Sequence, residues 1–225
     1  KNHASDIFLK SVIIIFITVI TFICLVPFMM VISSSFNDEI DTLRYGYPLI
    51  PRVFSLDSYY SILSRGSYVF SSYRNTVFVT VVGTLLSAII TTMLAYGLSR
   101  RYLPGVKILN FFIYFPMVFS GGIIPWYIVV RSLGLRNTIW SMIIPVLVNP
   151  WNVFLVRSFF GSIPPSIHES AKLDGAGEFM ILFRIVYPLS MPILATVSLF
   201  YGVAYWDDWF NALMFVDKRE LYPLQ

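Results

Sequence analysis

Apolar runs alternate along this chain with short polar or proline- and glycine-rich stretches. Roughly 20 apolar residues suffice for a helix to cross a bilayer. Five runs reach or approach that length: 11–32, 75–98, 108–130, 139–155 and 188–205. Between the first two lies a polar loop, 33–74, with turn signals at Gly46, Pro48 and Pro51. Its aromatic tail, SLDSYYSILSRGSYVFSSYR, predicts short interfacial helices. SRRYLPGVK and RSLGLRNT read as short turns. The first run keeps a polar flank and has no small-residue cleavage site, so it reads as a retained span rather than a signal peptide. The chain leaves the fifth run as WDDWFNALMFVDKRELYPLQ, where a polar segment begins to turn back. A sixth span is expected beyond Gln225.

Within the runs, two patterns stand out. Thr76, Thr80, Thr84, Ser87 and Thr91 recur at spacings of 4, 4, 3 and 4, which places them on one helical face. Small and hydroxylated residues on one face serve helix–helix packing or line a solute path. The third and fourth runs are interrupted, by Pro116, Ser120-Gly121-Gly122 and Pro125, and by Pro145 and Asn149-Pro150-Trp151-Asn152. Proline removes a helix hydrogen bond and clashes one turn back. Irregular backbone at membrane depth is tolerated where protein buries it or where it lines a wet cavity. Asn149, Trp151 and Asn152, with Gly121, Gly122 and Tyr205, are therefore candidate lining residues for a polar-solute path. An indole face suits the C–H face of a sugar. The competing reading is a kinked helix whose amides are satisfied internally.

Composition agrees with a polytopic all-α membrane protein. The chain is 57% hydrophobic and 12% charged, against about 25% charged in soluble domains. Its one cysteine, Cys24, lies in an apolar run, and its two histidines, His3 and His168, are far apart, so neither a disulfide framework nor a histidine metal cluster is expected. No basic tract points to nucleic acid. With the N-terminus inside, lysines and arginines divide eight to eight between the two sides. The short 99–107 loop carries three cations and no acid, and short loops are the better witnesses, favouring N-inside. No run holds an acidic residue at its centre, where ion-coupled carriers keep their charges. A stand-alone carrier or channel would need an ion site or filter. A membrane enzyme would need clustered acids or histidines, and Asp207-Asp208 reads instead as a solvated cap of the fifth run.

The most polar interruption is 157–187, with the core HESAKLDGAGEFMILFRIVYPL (168–189). Ser166 and Glu169 form an S-x-x-E capping box that predicts a helix start at Ser166. Gly175 is a natural C-terminal stop, and Lys172 near that end suits the helix dipole. A second helix is expected to present Phe179, Leu182, Phe183 and Val186 on one apolar face. The segment reads as a rigid surface knob.

This stretch resembles the EAA loop of ATP-binding-cassette (ABC) importer permeases. The family pattern is E-A-A, three residues, G, nine residues, I-x-L-P. Here it reads Glu169-Ser170-Ala171, three residues, Gly175, nine residues, Ile185-Val186-Tyr187-Pro188. Ser170 and Tyr187 depart from the pattern. The span layout, the S-L-D-S-Y-Y loop end and the W-D-D-W-F-N-A-L tail resemble the second, shorter permease of maltose-type carbohydrate importers, over essentially the whole chain. The resemblance implies a single type I ABC importer transmembrane domain over 1–225. It makes Glu169, Ser170, Ala171, Lys172, Asp174 and Gly175 the coupling surface for a separate ATPase. Ala171 and Gly175 would keep that contact close. Trp206, Asp207, Asp208, Trp209 and Asn211 would reach toward an extracytoplasmic solute-binding protein. It further implies a second homologous permease, two ATPase subunits that use ATP and Mg, and an oligosaccharide or polysaccharide-fragment substrate. This chain would bind no cofactor itself, lie amid lipid in a bacterial cytoplasmic membrane, and keep its N-terminus cytoplasmic. It carries no GxxxxGK[ST] phosphate loop, so ATP hydrolysis would belong to the partner.

Overall fold

A computed structural model describes residues 3–64, 67–100 and 102–225. Lys1, Arg65 and Arg101, counted above for orientation, lie outside the described residues. Among the described residues the fold is helical, with one isolated antiparallel bridge, Asn37 to Phe54, and no strand. Two helices are long and apolar enough to cross a membrane, and two bent helix pairs pass the same test together. The chain divides into two compact units, Lys1–Val69 and Phe70–Gln225.

In the first unit, α1 (His3–Ser35) extends the expected 11–32 run at both ends. Its apolar side chains are exposed all round, Phe16, Phe22 and Phe28 among them. The loop that follows is built around the buried Asn37. Its amide nitrogen donates to Asp41 and Thr42 at 2.9 Å each, and its oxygen accepts from the backbone N–H of Arg52 at 2.8 Å and Val53 at 3.1 Å. One side chain thus uses both ends to close the loop. Asp38 caps α2 (Glu39–Tyr45) through the Asp41 N–H. Of the expected interfacial helices, α3 (Asp57–Ser64) forms. The rest of that tail does not stand apart: it is the first part of α4 (Ser67–Ser99), which begins eight residues before the expected Asn75.

In the second unit, the third run is two short helices, α5 (Val106–Val118) and α6 (Ile123–Ser132), separated where Gly122 takes φ 84°. The fourth run departs from the expected 139–155 helix. Residues 139–146 form two 3-10 turns around Pro145, and α7 (Pro150–Ser162) follows at 47°. Proline at 145 denies the α ladder a donor. Asn149 restarts the helix as N-cap, accepting from the N–H groups of Trp151 at 2.9 Å and Asn152 at 3.3 Å, with Pro150 in the first turn. Because α7 continues to Ser162, the polar loop begins near Pro164 and not at Arg157. Arg157 lies within α7 and donates to the carbonyl of Leu98 at 3.1 Å, satisfying an orphan acceptor at the end of α4.

The loop itself is α8 (Pro165–Leu173), α9 (Glu178–Ile181), a π turn (Leu182–Val186) and the short α10 (Tyr187–Leu189). It meets α11 (Met191–Trp206) at an 84° bend at Ser190. α12 (Phe210–Phe215) follows. The core of this unit gathers Val79, Ala95, Val153, Val156, Ile181, Val186 and Val197, each at most 2% exposed.

The hydroxyl face of α4 packs on α11. Ser87 bonds Tyr205 at 2.8 Å and Thr91 bonds Tyr201 at 2.7 Å, both pairs buried. Gly83 lies under the Tyr205 ring so closely that a Cβ there would stand 2.7 Å from the ring carbon Cζ. Of the two readings left open for this stripe, helix packing accounts for these contacts.

Candidate functional site

α8 starts differently from the capping-box expectation. Pro165 occupies its first turn, Pro164 is the cap, and no side chain caps it. Ser166 is inside the helix. The carboxylate of Glu169 has no hydrogen bond or ion pair among the described residues and is exposed. The C-terminal stop forms as expected. Gly175 takes φ 79°, its N–H bonds Lys172 O at 3.0 Å, and Ala176 N–H bonds Ala171 O at 2.9 Å. This is a Schellman closure, which needs a residue without Cβ strain at the left-handed position.

α8 has two unlike faces. His168 and Ala171, three apart, are buried. Ala171 therefore packs into the chain's own core, not onto the exposed face where the family pattern placed it. Glu169, Ser170, Lys172, Asp174 and Gly175 are exposed, and Leu173 between them is 89% exposed. The expected apolar face of the second helix also differs. Apolar residues lie on several sides of this helix, and the buried face runs through Ile181, Leu182 and Val186 and not through Phe179 and Phe183, which point outward.

Beneath α8 lies a cluster that the sequence reading missed. Glu178 accepts from Lys172 Nζ at 2.8 Å, from the Tyr96 hydroxyl at 2.7 Å and from the Tyr102 hydroxyl at 3.1 Å. Tyr96 Oη also lies 3.0 Å from His168 Nε2. Because the Tyr96 proton goes to a carboxylate, His168 is the donor and carries its proton on Nε2. Lys172, then Tyr96, hold the Glu178 carboxyl down to about 2. Burial, then the charge of Arg100, keeps His168 below the ordinary histidine value. The glutamate is thus ionised and the imidazole neutral near neutral pH. Glu178 and Tyr96 are 82 positions apart in sequence, and no local spacing announces the pair.

The candidate path residues fall into two places. Asn149, Trp151, Asn152 and Tyr205 line one cavity of about 380 Å³, together with Asp208 and Asn211. Gly121 and Gly122 line a separate one of about 610 Å³, with Pro116, Phe119, Pro125 and Trp126. In the first cavity Asn149 spends its oxygen on the α7 cap, as the satisfied-amide alternative held. Asn152 is 5% exposed and its side chain makes no hydrogen bond among the described residues. Tyr205 offers mainly its ring, since its hydroxyl is engaged by Ser87 and by Ile143 O at 3.3 Å.

The five residues of the WDDWFN segment also divide. Trp206, Asp207 and Trp209 are exposed, whereas Asn211 is buried and Asp208 faces the cavity. Asp208 accepts from the Asn211 N–H at 3.1 Å and its side chain at 2.9 Å, capping the first turn of α12, and burial pushes its carboxyl upward. The acidic pair is thus half solvated and half internal. Among the described residues no group of three histidines, cysteines or acids could hold a metal.

No protein-family model matches the chain. A polygalacturonan/rhamnogalacturonan transport system permease, YtcP of Bacillus subtilis, is 41% identical over 225 residues, 100% of this chain and 77% of that protein. The inner membrane ABC transporter permease YcjP of Escherichia coli is 30% identical, over 90% of this chain and 74% of its own length. A crystal structure of a bacterial ABC transporter involved in import of the acidic polysaccharide alginate superposes with a TM-score of 0.91 and 30% identity, covering 100% of this chain and 80% of that one. Sequence likeness along the whole chain and a shared transmembrane fold agree: the chain belongs to the permeases of ABC importers.

Proposed function

We propose that this chain is one of two permease subunits of an ATP-driven, binding-protein-dependent importer of oligosaccharides, including polysaccharide fragments, in a bacterial cytoplasmic membrane. α8 is its coupling helix, on the cytoplasmic side, and the N-terminus shares that side. A separate pair of ATPase subunits, which use ATP and Mg, receives α8 in a surface cleft. As the pair closes, α8 moves as a rigid body and the spans beyond it tilt, opening the cavity outward. A solute-binding protein docks near Trp206, Asp207 and Trp209 and releases its sugar there. Asn149, Trp151, Asn152 and Asp208 then meet the sugar inside.

The observation that carries this reading is the two-faced α8. His168 and Ala171 fix it to its own protein, while an unpaired Glu169 and a bare Leu173 stand outward. A carboxylate with no partner of its own is free to pair with a basic group of the ATPase, and burying it in a cleft would require one. The sugar substrate is supported by the names of two of the three comparisons. The test is Glu169→Lys in the assembled complex. The variant should insert and assemble with its partner permease yet lose uptake, its ATPase running uncoupled or released. Normal uptake would sink the coupling reading.

A further inference from the structure

The chain runs from α8 to α11 by its own backbone, through α9, the π turn and α10. It has no such short route from α8 to α4. Motion of α8 reaches α4 through side chains: His168 meets Tyr96 directly, and Glu178 binds both elements at once. We infer that Glu178 is the latch that makes α4 follow the coupling helix, gripping Lys172 of α8 with one oxygen and Tyr96 of α4 with the other. This rests on the proposed role of α8.

The geometry supports a transmitting joint rather than a local staple. The Lys172–Glu178 pair, at 2.8 Å, spans the Gly175 turn and fixes α8 against α9. The Glu178–Tyr96 bond, at 2.7 Å, crosses to a different element. Hydrogen bonds to an ionised carboxylate are roughly twice as strong as neutral ones. Tyr96 is braced from three more sides, by the His168 N–H, by the Arg100 guanidinium 4.2 Å above its ring, and by the edge of Phe160. Such a hydroxyl has little freedom to slip. Farther along α4, Thr91 and Ser87 bond Tyr201 and Tyr205 of α11. Tyr201 in turn accepts the Asn149 N–H at 3.0 Å. Asn149, Tyr201 and Tyr205 all line the 380 Å³ cavity. A contiguous series of bonds therefore joins the coupling helix to the wall of that cavity. Chains of packed side chains and hydrogen bonds such as these can carry coupling where they have two discrete arrangements.

The test uses the complete complex of both permeases, the ATPase pair and the binding protein, in liposomes. The binding protein is purified from its host with the oligosaccharide it carries. The readout is the ratio of ATPase activity with and without that protein, because this signal must cross the permease. Glu178→Ala should leave basal hydrolysis in place and cut the stimulation about tenfold, within the usual 5–150-fold range of coupling effects. The swap Lys172→Glu with Glu178→Lys rebuilds the α8–α9 pair but leaves the Tyr96 hydroxyl no acceptor, so it should not recover the stimulation, whereas a local staple would recover it. Tyr96→Phe removes only the hydroxyl and should lower the ratio in the same direction. If Glu178→Ala fails to assemble, Tyr96→Phe decides the matter when read against His168→Ala, which breaks only the other bond to that hydroxyl and should keep the ratio. Wild-type stimulation in both Glu178→Ala and Tyr96→Phe overturns the latch. If Glu169→Lys loses stimulation while these two keep it, the latch alone has failed. If Glu169→Lys also keeps it, the role of α8 has failed.

Discussion

Asn149 and Asn152, one helical turn apart, illustrate how far a residue's type reveals its duty. Both were legible as polar groups beside a proline break. Only the fold separates them, since the Asn149 oxygen is spent on two backbone N–H groups while the Asn152 amide faces the cavity unpaired. Asn149→Ala should therefore lower the stability of the purified complex by about 1 kcal/mol, the usual cost of a lost cap, read as its thermal midpoint in detergent. Asn152→Leu should hold that midpoint and change the concentration dependence of oligosaccharide uptake. A midpoint loss in Asn152→Leu equal to that in Asn149→Ala would count against the division of labour. Gly175 was readable because its duty, a left-handed turn, is local. Glu178 was not, because its partner on α4 is remote in sequence. Ser166 misled because Pro165 opens the helix a residue earlier and needs no capping side chain.

At the scale of the element, the hydroxyl stripe of α4 was visible as a spacing, but its partner was not. The stripe meets Tyr205 and Tyr201, four apart on α11, through Ser87 and Thr91. Gly83 makes the approach possible. Gly83→Ala should push the Tyr205 ring away and strain the Ser87 bond, costing about 1–3 kcal/mol as overpacking does. Thermal unfolding of the complex measures it, and Gly97→Ala, where no atom stands within 4 Å of the added Cβ, is the control that should change little. The breaks in the third and fourth runs, at Gly122 and at Pro145, were equally visible, since glycine and proline act on their own backbone. The extents of α4 and α7 were misjudged because an apolar window marks the part of a helix that suits lipid and not where the helix ends: α4 begins before its window, at Ser67, and α7 continues past its window, to Ser162.

At the scale of the whole molecule, the membrane class followed from composition alone, and the family from one loop's spacing. The separate ATPase proposed above can be tested on the whole assembly. Liposomes holding both permeases with the binding protein, but no ATPase, should accumulate no oligosaccharide against a gradient, as measured by uptake of the binding protein's own ligand. Concentrative uptake there would overturn the importer scheme. The bare α1 cannot be stable in water with phenylalanines on every side. Its place in the fold depends on lipid or a neighbouring subunit, which no local pattern specifies.

The π turn at Leu182–Val186 sets a phase. Each residue added to or removed from a helix turns everything beyond it by about 100°. With Ser190 and α11 held in place, a one-residue deletion in that turn would swing α9 round its axis and aim the Glu178 carboxylate away from α4, though no partner residue had changed. Exposed Phe183 and Arg184, by contrast, have outward side chains that set no angle. In this short segment, residue number is constrained more tightly than residue identity, and the permease's timing is written in a count.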